Sequence, residues 1–242
     1  MFTPKTFPLE HFAARFPERI KQLESLLNEK TIVYIDYGNV RGWSRRLGWM
    51  IDLAKLKDFL NSFGVRQVWF YFGTYTGDSK SEKFMSFVHS QGFKVRTKHV
   101  KIMSLSIDVS SISNRSPDIL TNFIDPVLLK NLRIESIEYL NDQLRAMNKQ
   151  GRTWLECSKC NFDVEIASDM RLHHYMDEAE NFCLWSGDSD FEDPLKELLD
   201  AHRTVSVVGT ARHIASEINA LKSRGLKIFD LKTLREFLEK TS

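Results

Sequence analysis

Two short stretches place carboxylates where they can share a divalent cation. Asp36-Tyr37-Gly38-Asn39 begins at the last residue of the run 31–36, and Ser186-Gly187-Asp188-Ser189-Asp190-Phe191 follows the apolar run 182–185. A third acid, Asp163, opens a stretch expected to be helical and to run on through Asp169. Carboxylates crowded at one edge repel and raise one another's pKa unless a cation neutralises them. Carboxylate and amide oxygens, with water, are the hard ligands that Mg²⁺ or Mn²⁺ prefers. Such an ion polarises a phosphodiester, activates an attacking water and stabilises the leaving oxygen. Asp36, Asp163, Asp188 and Asp190 are therefore the candidate metal ligands. Asn39 and Asp190 are candidates for orienting ligands or the attacking water. Taken singly, Asp36 or Asp188 is better read as a turn or helix N-cap residue, common just past strands. Their joint occurrence with Asn39, Asp163 and Asp190 reverses that balance. Asp169 stands apart: six helical residues turn through about 600°, placing it about 120° around from Asp163. Either it reaches the ion through water or it faces solvent.

Basic residues follow the first acid directly. Arg41, Arg45 and Arg46 are candidates for holding a phosphate backbone, with Trp43 and Trp49 beside them. Arginine and lysine contact phosphates, and exposed aromatics stack on unpaired bases. The alternative is that both tryptophans are core and the arginines a solvated face. Lys80, Lys83, Lys94, Lys98 and Lys101 would extend a basic track. Residues 41–101 hold 12 Lys or Arg against 4 Asp or Glu, whereas residues 156–200 hold 13 acids against 3 Lys or Arg. Either these are two solvated surfaces of opposite sign, or an anionic substrate lies on one beside a cation on the other.

These residues need a scaffold that brings distant segments to one edge. Runs 31–36, 65–72, 93–99, 182–185, 204–208 and 227–229 read as strands, several apolar throughout as in sheets covered on both faces. Between them, 52–63, 81–91, 194–201, 213–223 and 231–239 read as helices, the first capped by Asp52 and stopped by Gly64. Residues 11–30 read as a leading helix, with Phe12, Phe16, Ile20, Leu23 and Leu27 at helical spacing. The alternation implies an α/β fold, Rossmann-like, with a mainly parallel central sheet and helices on both faces. Ligands in such sheets bind beyond the carboxyl ends of the strands, where the strand order reverses, and both acidic motifs fall there. The rhythm breaks between 104 and 155, where a Ser-rich loop (104–117) and a helical stretch (126–149) read as an insertion. The expected organisation is an N-terminal helical extension, 1–30, followed by one domain, 31–242, carrying that insertion.

Bulk properties bound the alternatives. With 242 residues, 42% of them hydrophobic and a net charge of +2, the chain has ample material for a core and is no histone-like polycation. No apolar run reaches the ~18–20 residues of a membrane helix, and the N-terminus lacks a signal-peptide pattern. Three cysteines are too few for a disulfide framework, so a reducing, cytoplasmic location is the default. Cys157 and Cys160, with twelve residues between Cys160 and His173, match only the start of a zinc finger, and buried thiols are the simpler reading. Gly73 to Lys80 lacks a phosphate-loop pattern, Ser186 lacks a nucleophile-elbow frame, and the histidines form no triad.

At these residues the chain resembles the NYN domain family, in its LabA/DUF88-like branch of the PIN-like nuclease superfamily. The matching pieces are TIVYIDYGNV (31–40), VWFYFGTY (68–75), FDVEIASDM (162–170), LWSGDSDFEDPLKEL (184–198), TVSVVG (204–209) and KIFDLKTLREFL (227–238). The resemblance implies a metal-dependent nuclease acting on RNA, single-stranded or structured. It assigns Asp36 and Asn39 to the first motif, Asp163 to the helix acid, Asp188 and Asp190 to the last motif, and Asp169 to a further family acid. The family often places a Lys-Gly pair before the helix acid, where this chain has Lys159-Cys-Asn-Phe-Asp163. The insertion could cover the site, bind a partner or mediate homo-oligomerisation. The competing functions are a non-catalytic RNA-binding module of the same fold and a metal-dependent phosphoryl-transfer enzyme acting on a small nucleotide.

Overall fold

The computed structural model describes residues 1–210 and 213–240, which form two compact units: 1–99 with the described residues from 160 to 240, and 100–159. In the larger unit, strands β1 (Thr31–Asp36), β2 (Gln67–Thr74) and β3 (Lys94–His99) belong to the first half. Strands β4 (Lys101–Ser106) and β5 (Trp154–Lys159) belong to the smaller unit. Strands β6 (Asn181–Trp185), β7 (Thr204–Gly209) and β8 (Lys227–Asp230) complete the larger sheet. Its order is β3-β2-β1-β6-β7-β8, and every neighbouring pair is parallel. The order reverses between β1 and β6, so their carboxyl ends flank the switch point where such sheets open a crevice. Here Ile35 pairs with Trp185, and the two acidic motifs emerge side by side.

Each face of the sheet is covered. Along β1 the side chains alternate: Val33 and Ile35 enter one core cluster, Ile32 and Tyr34 the other, as the two-residue period of a strand requires. The first cluster takes in helices α1 (Phe7–Arg15), α2 (Pro17–Glu24), α3 (Tyr37–Leu47), α4 (Leu53–Ser62) and α5 (Ser79–Ser90). The expected single leading helix is two. Pro17 lacks the N–H that would continue the ladder and restricts Phe16 before it, and α2 starts afresh at that proline.

The smaller unit holds β4 and β5, helices α6 (Pro126–Asn131) and α7 (Ile134–Lys149), and its own core of Ile107, Val109, Leu120, Leu129, Ile137 and Leu144. Two expectations are corrected here. Residues 104–106 are the end of β4 rather than loop, in antiparallel register from Lys101↔Lys159 to Ser106↔Trp154. The helical stretch 126–149 breaks at Leu132 and Arg133, both extended.

Helices α8 (Asp163–Tyr175), α9 (Glu192–Asp200) and α10 (Ser216–Ala220) belong to the second face of the large sheet. The last helix, α11 (Arg235–Leu238), packs in the first cluster with Phe237 and Leu238. Two expected helices shrink: 213–223 becomes α10 with a 3₁₀ turn over Leu221–Arg224, and 231–239 becomes a 3₁₀ turn over Leu231–Leu234 with α11. No helix among the described residues is long and apolar enough to cross a membrane.

Candidate metal centre

The register across the switch point builds the site. Asp36 ends β1 and is the N-cap of α3, its Oδ1 accepting from the Asn39 N–H at 3.3 Å. Beside it, one step past Trp185, the Ser186 hydroxyl donates to Asp36 Oδ2 at 3.3 Å and accepts from the Asp188 N–H at 3.4 Å. Ser186 thus ties the two motifs together. Asp36 is 8% exposed. Burial first, then the charges of Asp163 and Asp188, push its carboxyl up to about 6, against the bonds from Asn39 and Ser186. Desolvation and like charge both disfavour the ionised form.

The remaining acids are held differently. Asp188 precedes the 3₁₀ turn Ser189–Phe191 as its N-cap residue, yet its side chain makes no capping bond. Asp190 lies within that turn and is exposed. Asp163 is the first residue of α8, half-buried, with Oδ2 accepting from Asn161 at 2.6 Å. Its pKa is raised by burial and by the neighbouring charges of Asp188 and Asp190. Asp163, Asp188 and Asp190 each offer a carboxylate oxygen, all within 4.8 Å of one another. Two oxygens on opposite sides of a Mg²⁺ ion lie roughly 4.1 Å apart, given bonds of about 2.0–2.1 Å. The hard-oxygen donor set therefore fits a small divalent ion with slight side-chain rotation. Asp36 is outside that trio, and the charges of Asp163 and Asp188 still act on it.

Other candidates go elsewhere. Asp169 neither faces solvent nor joins the acids: it is 7% exposed, accepts from the Tyr71 hydroxyl at 2.8 Å and pairs with the Arg96 guanidinium. The turn of α8 that separates it from Asp163 points it at the sheet. Trp43 and Trp49 are core residues, 3% and 6% exposed. Arg41, Arg45 and Arg46 are all exposed, but they do not form one track. Arg46 lines a cleft of about 420 Å³ with Asn39, Asp188 and His213. Arg41 lines a second cleft, and Gly38 borders both. Lys98 is engaged by Glu165 at 2.7 Å and Lys94 lies over the Trp69 ring. Cys157 and Cys160 are half-buried, and only Cys183 is a fully buried thiol. His173 is hydrogen-bonded through Nδ1 to the Tyr34 hydroxyl at 2.8 Å.

Two further residues shape the site. Gly187 is demanded by a close backbone approach: a Cβ there would lie 1.9 Å from the His213 carbonyl oxygen. Its own carbonyl accepts from the Ala215 N–H at 2.9 Å, which fixes the loop that carries Asp188. His213 stands against the Arg46 guanidinium. Glycine between Ser186 and Asp188 is a readable signal, whereas His213 has none in its local sequence.

The motifs, the switch-point geometry and the acid cluster meet a direct comparison. The family model described as the NYN domain matches residues 114–228. Over that stretch the chain is similar to the NYN domain family. That stretch takes in Asp163, Asp188 and Asp190, while Asp36 and Asn39 precede it. The low amplitude and bright protein LabA of Synechococcus elongatus is 27% identical over 212 residues, covering 86% of this chain and 87% of LabA. A solved structure of a protein of unknown function from Vibrio parahaemolyticus superposes with a TM-score of 0.52 at 16% identity, covering 87% of this chain and 96% of that one. At that identity the likeness speaks to the fold alone, an α/β arrangement built on a parallel sheet.

Proposed function

We propose that this NYN chain is a metal-dependent ribonuclease that cleaves RNA phosphodiester bonds with Mg²⁺ or Mn²⁺. The observation that carries the reading is the trio Asp163, Asp188 and Asp190, with oxygens within 4.8 Å of one another at the sheet's switch point and no capping duty for Asp188. These three would hold the ion, and Asp36 would reach it through water. When bound, the ion supplies Lewis acidity at the phosphodiester and lowers the pKa of a bound water. Asp36 keeps its place through Ser186 and the Asn39 N–H. Asn39, in the same cleft as Asp188, is in position to orient an attacking water. Arg46, on the wall of that cleft, holds a phosphate oxygen of the strand. Against a pure RNA-binding role, clustered carboxylates repel phosphate unless a cation neutralises them.

Labelled single-stranded RNA incubated with the chain and Mn²⁺, then with EDTA, tests the reading. Products that form with the ion, vanish with EDTA and vanish in Asp188→Asn support it. RNA binding without product in either Mg²⁺ or Mn²⁺ overturns it in favour of a binding module. Release of phosphate from a mononucleotide with RNA left intact would favour the small-nucleotide reading.

A further inference from the structure

The second cleft, about 500 Å³ in volume, lies at the carboxyl end of β2 and is lined by Tyr37, Arg41, Phe72, Tyr75, Lys80 and Phe84 among others. That volume falls within the ~300–1,000 Å³ typical of ligand sites. Its back wall is fixed. Tyr37 and Phe84 stack at 5.1 Å, and Phe72 meets Phe84 edge-on at 5.1 Å. Its rim is unfilled: Tyr75 is 44% exposed and has no aromatic neighbour among the described residues. The Tyr75 backbone is nevertheless held, since its carbonyl accepts from the Asp78 N–H at 3.2 Å across a turn in which Gly77 has φ 73°.

Charge completes the pattern. Arg41 and Lys80 border the cleft and form no ion pair among the described residues. Asp78 is the acid in the lining, and its carboxylate is turned onto the start of α5. It accepts from the Ser81 N–H at 3.0 Å, the Ser81 hydroxyl at 2.8 Å and the Lys80 N–H at 3.3 Å. The cleft also adjoins the acids. Gly38 borders both clefts, and a Cβ on it would stand 3.4 Å from Asp36 Oδ1.

An open aromatic ring with two unpaired cations beside it matches a nucleobase and its phosphate. We propose that this cleft is a base-binding subsite for single-stranded RNA: one unpaired base stacks on Tyr75, and Arg41 with Lys80 holds the adjoining phosphate. The subsite rests on the reading of RNA as substrate and adds the contact that positions the nucleotide next to the acids. Trp43 and Trp49, the aromatics that the sequence offered for stacking, are unavailable because they are core.

The test uses the full chain in EDTA and a single-stranded RNA octamer carrying one 2-aminopurine. Binding is expected to quench the 2-aminopurine fluorescence. Tyr75→Ala should abolish the quenching and weaken binding roughly 5- to 150-fold, the range for losing a base–aromatic stack. Tyr75→Phe should retain both. Arg41→Ala and Lys80→Ala should each weaken binding and reduce its salt slope by about 1. Unchanged melting temperatures for the Tyr75 variants would show that the fold is intact. Wild-type quenching and affinity in Tyr75→Ala would overturn the subsite even if Mn²⁺-dependent cleavage is observed, leaving the nuclease reading in place. Quenching lost only in Tyr75→Ala, with no cleavage in any ion, would support the subsite and overturn the nuclease reading. A wild-type chain that binds no RNA in EDTA would overturn the subsite.

Discussion

Replacing Gly187 with alanine is the sharpest test of how the site is held. The new Cβ would lie 1.9 Å from the His213 carbonyl oxygen, 2.9 Å from its carbon and 3.3 Å from Ile214 Cα. All three atoms are backbone, so no rotamer change relieves the clash. Reaching the 3.0 Å below which Cβ contacts are essentially never seen requires a displacement of at least 1.1 Å. That shift acts on the loop between β6 and the Ser189–Phe191 turn, and it strains the Ala215 N–H to Gly187 carbonyl bond of 2.9 Å. Overpacking of this kind costs about 1–3 kcal/mol, which for a domain of this size lowers the melting temperature by about 2–12 °C. The same displacement moves Asp188 relative to Asp163, and a 1 Å misplacement of a catalytic group costs roughly 100-fold in rate. Thermal unfolding, Mn²⁺ titration by calorimetry and RNA cleavage should all register the change. Gly38→Ala is the control. Its Cβ would make only an ordinary 3.4 Å contact with Asp36 Oδ1, and alanine gains about 0.5–1 kcal/mol over glycine within a helix. If Gly187→Ala melts within 1 °C of the wild type and binds Mn²⁺ unchanged, the loop is not fixed by that backbone approach and the reasoning fails.

Asp36 makes a pH-dependent prediction. Its folded pKa, raised from 3.8 to about 6, means that the folded state binds the proton more tightly than the unfolded chain. Its contribution to metal-free stability is complete below about pH 4 and is lost as pH rises through 6. Asp36→Asn should therefore raise metal-free stability at pH 7 by about 1–3 kcal/mol while abolishing cleavage, as pH-dependent melting and RNA assays would register. Added Mn²⁺ should raise the melting temperature more at pH 7 than at pH 5, because the ion competes with that proton; an equal shift at both would count against the site. Asp169→Asn should cost about 1–3 kcal/mol, kept modest because the Arg96 side chain is 41% exposed, and leave RNA cleavage near wild type. Loss of cleavage in a folded Asp169→Asn would return that acid to the reaction. Trp43→Ala should cost about 3–5 kcal/mol, which chemical denaturation measures, as expected of a core residue.

What the sequence made legible follows from how each feature is encoded. Strand β1 is an apolar run because it is buried on both faces, and that pattern needs no knowledge of neighbours. The parallel sheet was legible for the same reason. The paired strands β4 and β5 are largely exposed, so burial prints no alternation on them. Their pairing joins Ser106 to Trp154, a partnership set by three-dimensional closure. The acids were legible because position after a strand is a sequence property. Their split into a close trio and a buried Asp36 was not, since it depends on which oxygens the α3 N–H and Ser186 occupy. The arginines misled for a simple reason: a helix turns 100° per residue, so Arg41 and Arg46, five apart, border different clefts.

Capping and cation binding do not exclude each other at Asp36. An ionised carboxylate has about four lone-pair sites, and Asp36 uses one on the Asn39 N–H and one on the Ser186 hydroxyl. The remaining sites are enough for a water held by a cation. The capping bond in turn restrains the carboxylate, because any rotation that brought it into the trio would break the bonds from Asn39 and Ser186. Asp188, free of such bonds, can turn toward an ion at little cost. The arrangement therefore pairs a buried acid held by two bonds, and Asp163 held by Asn161, with two acids free to turn. The N-terminal ends of α3 and α8 lie next to Asp36 and Asp163, and their partial positive charge offsets part of the repulsion. It does not remove it: Asp36 and Asp163 both remain above their ordinary pKa. A cluster that keeps its acids at that cost in stability is better accounted for by a cation that relieves the repulsion than by solvent alone.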